Sequence, residues 1–261
     1  MQIVTWNVNS LRIRLPRVRA WLERHQPDVL CLQETKCPND QFPEAELEGL
    51  GYSVAFAGQT NGLNGVATLA KGELTDARLE LPGHEEEPQR RFVSVKAGGL
   101  RVINVYVPNG QALGSDAFFF KLDWLSRLQM HLVGDHDPQE PLVLLGDFNI
   151  APEDRDVGDP EAWRDRLHTS AHERQALTYL QRWGLKDALR VLRPEDEGLF
   201  SWFDYRDTFK AFREDRGLRI DLVYVTEPLV SRLAAVEIDL EERKGEQPSD
   251  HAPVVARFKE E

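Results

Sequence analysis

The chain has 261 residues, and its apolar fraction of 41% is enough to build a sizeable core. No apolar run approaches the roughly 20 residues that a membrane span needs, so we expect no membrane association. The chain has two cysteines, too few for disulfides to stabilise a fold of this length. Its N-terminus resembles a strand rather than a secretory signal. Both observations predict a reduced, cytoplasmic protein. The net charge of −12 argues against nucleic acid binding unless arginines gather on one surface.

Strands and helices are predicted along the whole chain from the spacing of its apolar residues. In order, they are a strand (1–9), a helix (15–22), a strand (29–32), two hairpins (51–69 and 92–107), a helix (115–132), a strand (142–145), a helix (173–183) and two strands (218–225 and 254–258). No internal repeat or linker interrupts this series. We therefore expect one domain over residues 1–261.

Residues 142–149 form the stretch around which the candidate site is organised. Four consecutive apolar residues predict a strand that is buried on both faces. Gly146 breaks the apolar run, and in extended geometry Asp147 and Asn149 point to the same side. On this motif alone a simple turn is the alternative, since Gly, Asp and Asn are turn residues.

Other predicted strands also end in polar groups. Glu34 follows the second strand, Tyr106 ends the second hairpin, and Asp250 and His251 precede the last strand. Asp221 is an acid within an apolar run, where burial requires a partner. Together these groups supply what phosphodiester hydrolysis needs: oxygen ligands for magnesium, a group that prepares water, and donors for phosphate oxygens.

Seven motifs in order along the chain resemble the exonuclease III / abasic-site endonuclease family, within the DNase I-like endonuclease/exonuclease/phosphatase superfamily. They occupy residues 5–10, 27–36, 104–110, 146–152, 200–206, 216–221 and 248–253. This resemblance implies an α/β fold, a four-layer α/β sandwich in which two packed mixed β-sheets are flanked by helices.

The resemblance also implies a magnesium site, with Mn²⁺ as a substitute ion. Glu34 is the principal expected ligand, and the remaining expected ligands are Asn7, Asp147, Asn149, Asp250 and His251. The expected catalytic residues are Tyr106, Asp147, Asn149, Asp221 and His251. The number of metal ions, and the choice between base and phosphate ligand for His251, stay open.

The implied substrate is duplex DNA with abasic sites or blocked 3′ ends, acted on by a monomer. The expected activities are cleavage 5′ of abasic sites, 3′–5′ exonuclease and 3′-phosphodiesterase. Trp202, Leu218 and Ile220 match an apolar pocket for a flipped-out abasic sugar. The other expected substrate contacts are Asn109 and a cationic rim formed by Arg12, Arg14, Arg90, Arg91, Arg213 and Arg216.

Two other functions are compatible with this superfamily. One is a phosphatase acting on a small phosphorylated substrate, and the other is a non-catalytic nucleic-acid-binding regulator. A regulator would have lost Glu34, Asp147, Asn149 or His251, all of which are present. The loop at residues 58–64 departs from the usual pattern of the family, which affects how the protein contacts the DNA strand. The segment at residues 166–172 also departs from it, which affects the balance between nicking at abasic sites and trimming of 3′ ends.

Overall fold

Two six-stranded β-sheets form the centre of the computed structural model, which describes residues 1–204, 212, 214 and 216–259. The strands are β1 Gln2–Asn7, β2 Val29–Gln33, β3 Tyr52–Ala57, β4 Val66–Lys71, β5 Leu74–Arg78, β6 Phe92–Ala97, β7 Leu100–Tyr106, β8 Leu142–Asp147, β9 Lys186–Asp187, β10 Asp221–Val225, β11 Leu233–Ile238 and β12 Val254–Phe258. Their order is β11-β12-β1-β2-β4-β3 in the first sheet and β5-β6-β7-β8-β10-β9 in the second. Both sheets contain parallel and antiparallel pairs.

The helices of the described chain are α1 Leu11–His25, α2 Glu44–Glu48, α3 Asp116–Asp135, α4 Pro160–Trp163, α5 Ala171–Trp183, α6 Ala188–Leu192 and α7 Glu227–Val230. Short 3₁₀ turns lie at Asn39–Gln41, Asp154–Asp156 and Leu240–Arg243. Ser115 caps α3, and Ser170 with Glu173 forms a capping box on α5, so these two helices start at residues that satisfy free N–H groups. Among these described helices, none has the length and apolar character required to cross a membrane.

The side-chain alternation of the strands explains the layers. In β8, Val143 and Leu145 pack into the core between the sheets, whereas Leu142 and Leu144 pack with α3 and α5. On the first sheet, Trp6 of β1 packs outward against Trp21 of α1, with ring centroids 6.1 Å apart. Helices, sheet, sheet and helices therefore follow one another, and the predicted four-layer sandwich is confirmed.

Strand register brings the polar strand ends together. Tyr106 of β7 pairs with Asp147 of β8, and Asp221 of β10 pairs with Asp147 from the other side. In the first sheet the parallel pairing of Asn7 with Gln33 places Glu34 one residue beyond β2. Since β1 and β8 are in contact across the sandwich, the two sets of strand ends face each other.

Several predicted boundaries differ from those of the structure. The first strand ends at Asn7, and the first helix begins at Leu11 rather than at residue 15. The prediction that the central strand ends at residue 145, with Asp147 beyond it, is wrong, because β8 continues through Gly146 to Asp147. Gly146 has φ +145°, and a Cβ there would lie 1.9 Å from the carbonyl oxygen of Val105. The glycine is therefore required by the close approach of β7.

Candidate active site

Glu34, Asp147 and His251 meet where the ends of the two sheets face each other. One potential ligand atom from each lies within 4.8 Å of the others. The side-chain nitrogen of Asn7 bridges the two acids, donating to Glu34 Oε1 and to Asp147 Oδ2, each at 2.9 Å. Residues from β1, β2, β8 and the approach to β12 thus form a single polar cluster.

His251 is held by a buried acid behind it. Its Nδ1 lies 2.8 Å from Asp221 Oδ2, and Ser201 Oγ donates to the same oxygen at 2.6 Å. Burial lowers the pKa of His251, but the charges of Asp221 and then Asp147 outweigh burial and raise it to about 10. Both ring nitrogens are then donors. In this state Nε2, 3.8 Å from Asp147 Oδ2, suits a phosphate oxygen better than a metal ion.

The acids of the cluster differ in their affinity for protons. Burial, followed by the charges of Asp221 and Glu34, raises the pKa of Asp147 to about 7 against the opposing effect of His251. For Glu34, burial acts to raise the pKa, but Lys36 at 2.8 Å and the Asn7 hydrogen bond lower it overall. At neutral pH the cluster therefore contains an ionised Glu34 and a partly protonated Asp147.

Tyr106 reaches the same cluster from β7. Burial, followed by the charge of Glu34, raises the pKa of Tyr106 well above its usual value. The Arg91 guanidinium lies 4.4 Å from the Tyr106 ring centroid and opposes this shift. The phenol is therefore protonated at neutral pH and is a hydrogen-bond donor, here to Glu34.

Asn149 contacts Asp147 through an irregular turn. Its backbone N–H donates to Asp147 Oδ1 at 2.8 Å, and its side chain receives a hydrogen bond from Asn109 at 3.2 Å. The predicted closeness of Asp147 and Asn149 is confirmed, but extended geometry is not its cause, because Asn149 has a left-handed φ of +52°. Glu34 is left-handed as well, at +50°. Such conformations cost free energy and concentrate at functional sites.

The expected metal ligands fit a divalent cation only in part. The carboxylates of Glu34 and Asp147 are the hard oxygen donors that magnesium prefers. Asn7 presents its amide nitrogen to them, and its oxygen would face them only after rotation of the amide. Asp250 lies outside this cluster, where it accepts hydrogen bonds from Asn9 at 3.0 Å and Trp202 at 3.1 Å.

Trp202, Leu218 and Ile220 do come together, as the sequence predicted, in a small apolar cluster. However, Leu218 is fully buried and Ile220 is only 2% exposed. The rings of His168 and Trp163 lie 6.2 Å and 6.4 Å from that of Trp202. Leu218 and Ile220 therefore form the floor of this cluster, and Trp202 is its partly exposed member.

The predicted cationic rim is only partly present. Arg14 and Arg91 are buried, so placing them on the rim is wrong: Arg14 donates to the carbonyls of Gln247 and Pro248. Arg12 is exposed, and Arg90 is half-buried beside Glu80. Arg216 is exposed and pairs with Glu214 at 2.9 Å. Arg213 lies outside the described residues.

Comparison with known proteins agrees with this geometry. A sequence profile described as "Endonuclease/Exonuclease/phosphatase family" matches residues 4–251. The chain belongs to this family. It is similar to exodeoxyribonuclease III of Haemophilus influenzae, with 39% identity over 99% of this chain and 100% of that protein. The resemblance to the exonuclease III / abasic-site endonuclease group is thereby confirmed.

Two solved structures of the family have almost the same fold. A 3′ phosphatase from Neisseria, solved with a product DNA hairpin, is 43% identical and has a TM-score of 0.94, with full coverage of both chains. An AP endonuclease from Archaeoglobus fulgidus is 38% identical and also has a TM-score of 0.94, over 99% of each chain.

Sequence reasoning missed several polar residues that support this family site. Lys36 pairs with Glu34, Ser201 bonds to Asp221, and Ser249 Oγ donates to the Asn7 carbonyl at 2.6 Å. Each lies within a motif that matched the family, yet single polar residues carry no periodic signal. The buried pair of Lys121 and Glu173 lies outside every matched motif.

Proposed function

We propose that this protein is a magnesium-dependent DNA repair nuclease that hydrolyses phosphodiester bonds in duplex DNA, with Mn²⁺ as a substitute ion. The observation that carries the proposal is the cluster of Glu34, Asp147 and His251, with Asp221 behind His251. Hydrolase chemistry of the exodeoxyribonuclease III type agrees with the relatives of the chain. This cluster combines oxygen ligands, a proton acceptor and a cationic donor.

Glu34 and Asp147 would hold the metal ion, and Asn7 would join them after rotation of its amide. A bound magnesium ion supplies charge stabilisation for the phosphate and its leaving oxygen. The Asp147 carboxylate accepts a proton from the attacking water. Protonated His251, oriented by Asp221, donates a hydrogen bond to a non-bridging phosphate oxygen.

Neutral donors complete the contacts to the phosphate. The Tyr106 hydroxyl, kept protonated by its surroundings, donates to the phosphate or to the leaving group. The amides of Asn149 and Asn109, which bond to each other, position the water and a phosphate oxygen. These donors are fixed before substrate arrives, so little reorganisation is needed during the reaction.

We propose two DNA substrates, the 3′ end and the abasic site. Relatives named as a 3′ phosphatase and as an AP endonuclease support each in turn. A terminal nucleotide can fray, whereas an internal abasic sugar must be extruded from the duplex before it reaches the apolar cluster of Trp202, Leu218 and Ile220. The 3′ end therefore needs less rearrangement of the DNA, and we expect it to be processed faster.

Matched duplex oligonucleotides test this proposal. One carries a single internal abasic site, one a 3′-phosphate, and one is undamaged, each with magnesium and with chelator. We expect magnesium-dependent cleavage that is fastest at the 3′-phosphate, absent with chelator and strongly reduced in Asp147→Asn. Hydrolysis of small phosphate esters without any cleavage of DNA would support the phosphatase alternative and overturn the proposal.

A further inference from the structure

Lys121 and Glu173 form an ion pair in which both side chains are completely buried. Lys121 lies on α3 and Glu173 in the first turn of α5, so the pair joins two helices. The ammonium group has three N–H donors. Besides Glu173, its acceptors are the backbone oxygens of Asn149 at 2.7 Å and Asn109 at 3.2 Å. Every donor is therefore used, and two of them reach the loops of the candidate site.

Glu173 fixes the other end of this pair. Its Oε1 also accepts from the backbone N–H of His168 at 3.1 Å, and its Oε2 accepts from Ser170 Oγ at 2.6 Å. His168 Nδ1 in turn lies 2.6 Å from the Asn149 carbonyl oxygen. The Asn149 backbone is thus held from two directions by groups that Glu173 organises.

A purely structural role does not account for this choice of residues. Two buried charges are often no more stabilising than apolar residues of similar volume, because both lose their hydration. Here, in contrast, the ammonium holds the carbonyl oxygen of a residue with left-handed φ, whose N–H and side chain contact Asp147. The same ammonium holds Asn109, which bonds to the Asn149 side chain.

We propose that Lys121, supported by Glu173, is a positioning residue for the reaction. It fixes the backbone of Asn109 and Asn149, and thereby aims their amides at the phosphate and the attacking water. This inference rests on the proposed nuclease function, since it concerns the same site. Neither side chain touches the substrate, so both act only through the two asparagines.

The test compares Lys121→Met with the double variant Lys121→Met/Glu173→Gln. The single variant leaves a buried acid unpaired and is expected to lower the Tm, whereas the double variant has no unpaired charge, keeps an amide oxygen as acceptor for the capping box, and regains stability. In both, we expect kcat on a 3′-phosphate duplex to fall by about 10²-fold, the effect of a small misplacement of reacting groups, with little change in KM. Leu128→Ala, which removes buried volume from α3 away from the site, serves as a control that lowers Tm but not kcat.

A second measurement does not depend on activity. The side-chain amide signals of Asn109 and Asn149 in ¹H–¹⁵N spectra should shift in the double variant and remain unchanged in Leu128→Ala. A double variant that regains both Tm and kcat, with unshifted amide signals, would overturn the positioning role. Failure of the proposed function looks different, since the wild-type protein itself would then not cleave DNA.

Discussion

At the scale of single residues, the charge of Glu34 is central to the site. Glu34→Gln preserves shape but removes the carboxylate that Lys36 and Asn7 hold in its ionised form. We expect metal affinity to fall by about 10-fold or more, with partial recovery of cleavage at high magnesium. Titration of cleavage rate against magnesium measures this effect. Equal rates in variant and wild type at low magnesium would show that Glu34 is not a ligand.

Asp147 is expected to act on the chemical step rather than on substrate binding. Asp147→Asn should lower turnover by about 10²-fold or more, which is the range for loss of a general base. DNA affinity should persist, because the substitution removes a negative charge from the site. Binding by fluorescence anisotropy and single-turnover cleavage separate the two effects. A parallel loss of affinity and turnover would instead assign Asp147 to substrate binding.

The sequence revealed the charged members of the site but not the groups that orient them. Glu34, Asp147 and His251 each follow or precede an apolar run, and this position is visible in the sequence. Lys121 occupies an otherwise amphipathic helix, where a lysine predicts a solvated face, yet it is fully buried. Its partner Glu173 is 52 residues away, and no local pattern connects the two.

At the scale of secondary structure elements, the close approach of β7 and β8 depends on Gly146. Gly146→Ala would place a methyl group against the Val105 carbonyl, and we expect it to destabilise the fold by about 1–3 kcal/mol. Because Asp147 is the next residue, cleavage should also decline. Gly134→Ala is the matched control, since a Cβ there meets nothing within 4 Å. Denaturant unfolding of both variants measures the difference, and equal stabilities would contradict this explanation.

The buried carboxylate of Asp156 connects the segment before β10 to α6. Asp156 accepts from Arg219 at 2.7 Å and also pairs with Arg190. Although burial acts to raise the pKa of Asp156, the two arginines lower it below its usual 3.8. The ionised acid therefore stabilises the fold above that pH, and this contribution is lost as pH falls through the lowered pKa.

Asp156→Asn tests this connection. At pH 7 the variant removes the acid that buried Arg219 shares with partly buried Arg190, while Arg219 keeps Asp187 at 2.8 Å. We therefore expect a loss of about 1–3 kcal/mol in the free energy of unfolding. Since the wild-type acid becomes protonated at low pH, the difference between the proteins should shrink below pH 3.8. Unfolding curves from pH 7 to pH 3 provide the measurement. A difference that is independent of pH would contradict an electrostatic role.

Three strands, β5, β9 and β11, were not predicted from the sequence, for physical reasons that each strand shows. β9 has only two residues, which is too short for any apolar period. Four of the five residues of β5 are exposed, so this edge strand has almost no apolar alternation. β11 buries only Leu233 and Val236, a spacing that does not follow the two-residue period of a strand. Strands buried on both faces, such as β8, were predicted because their apolar runs are unambiguous.

At the scale of the whole molecule, a protein of net charge −12 must bind a polyanion through a local surface. Burial of Arg14 and Arg91 removes two cations from the expected rim. Arg12 and Arg216 remain exposed. With few phosphate contacts, the affinity for DNA should be moderate and sensitive to salt, while the acidic remainder of the surface repels undamaged duplex.

The salt dependence of DNA affinity tests this distribution of charge. Each phosphate contact changes the slope of log affinity against log salt by about −0.9, so Arg12→Gln/Arg216→Gln should flatten the slope by up to about 1.8. Arg257→Gln is the matched control, because Arg257 is a partly exposed arginine that pairs with Glu237 at the other end of β12 from His251. Affinity measured by anisotropy at several salt concentrations should separate the variants. An unchanged slope in the double variant, or an equal change in the control, would place the DNA-binding surface elsewhere on the molecule.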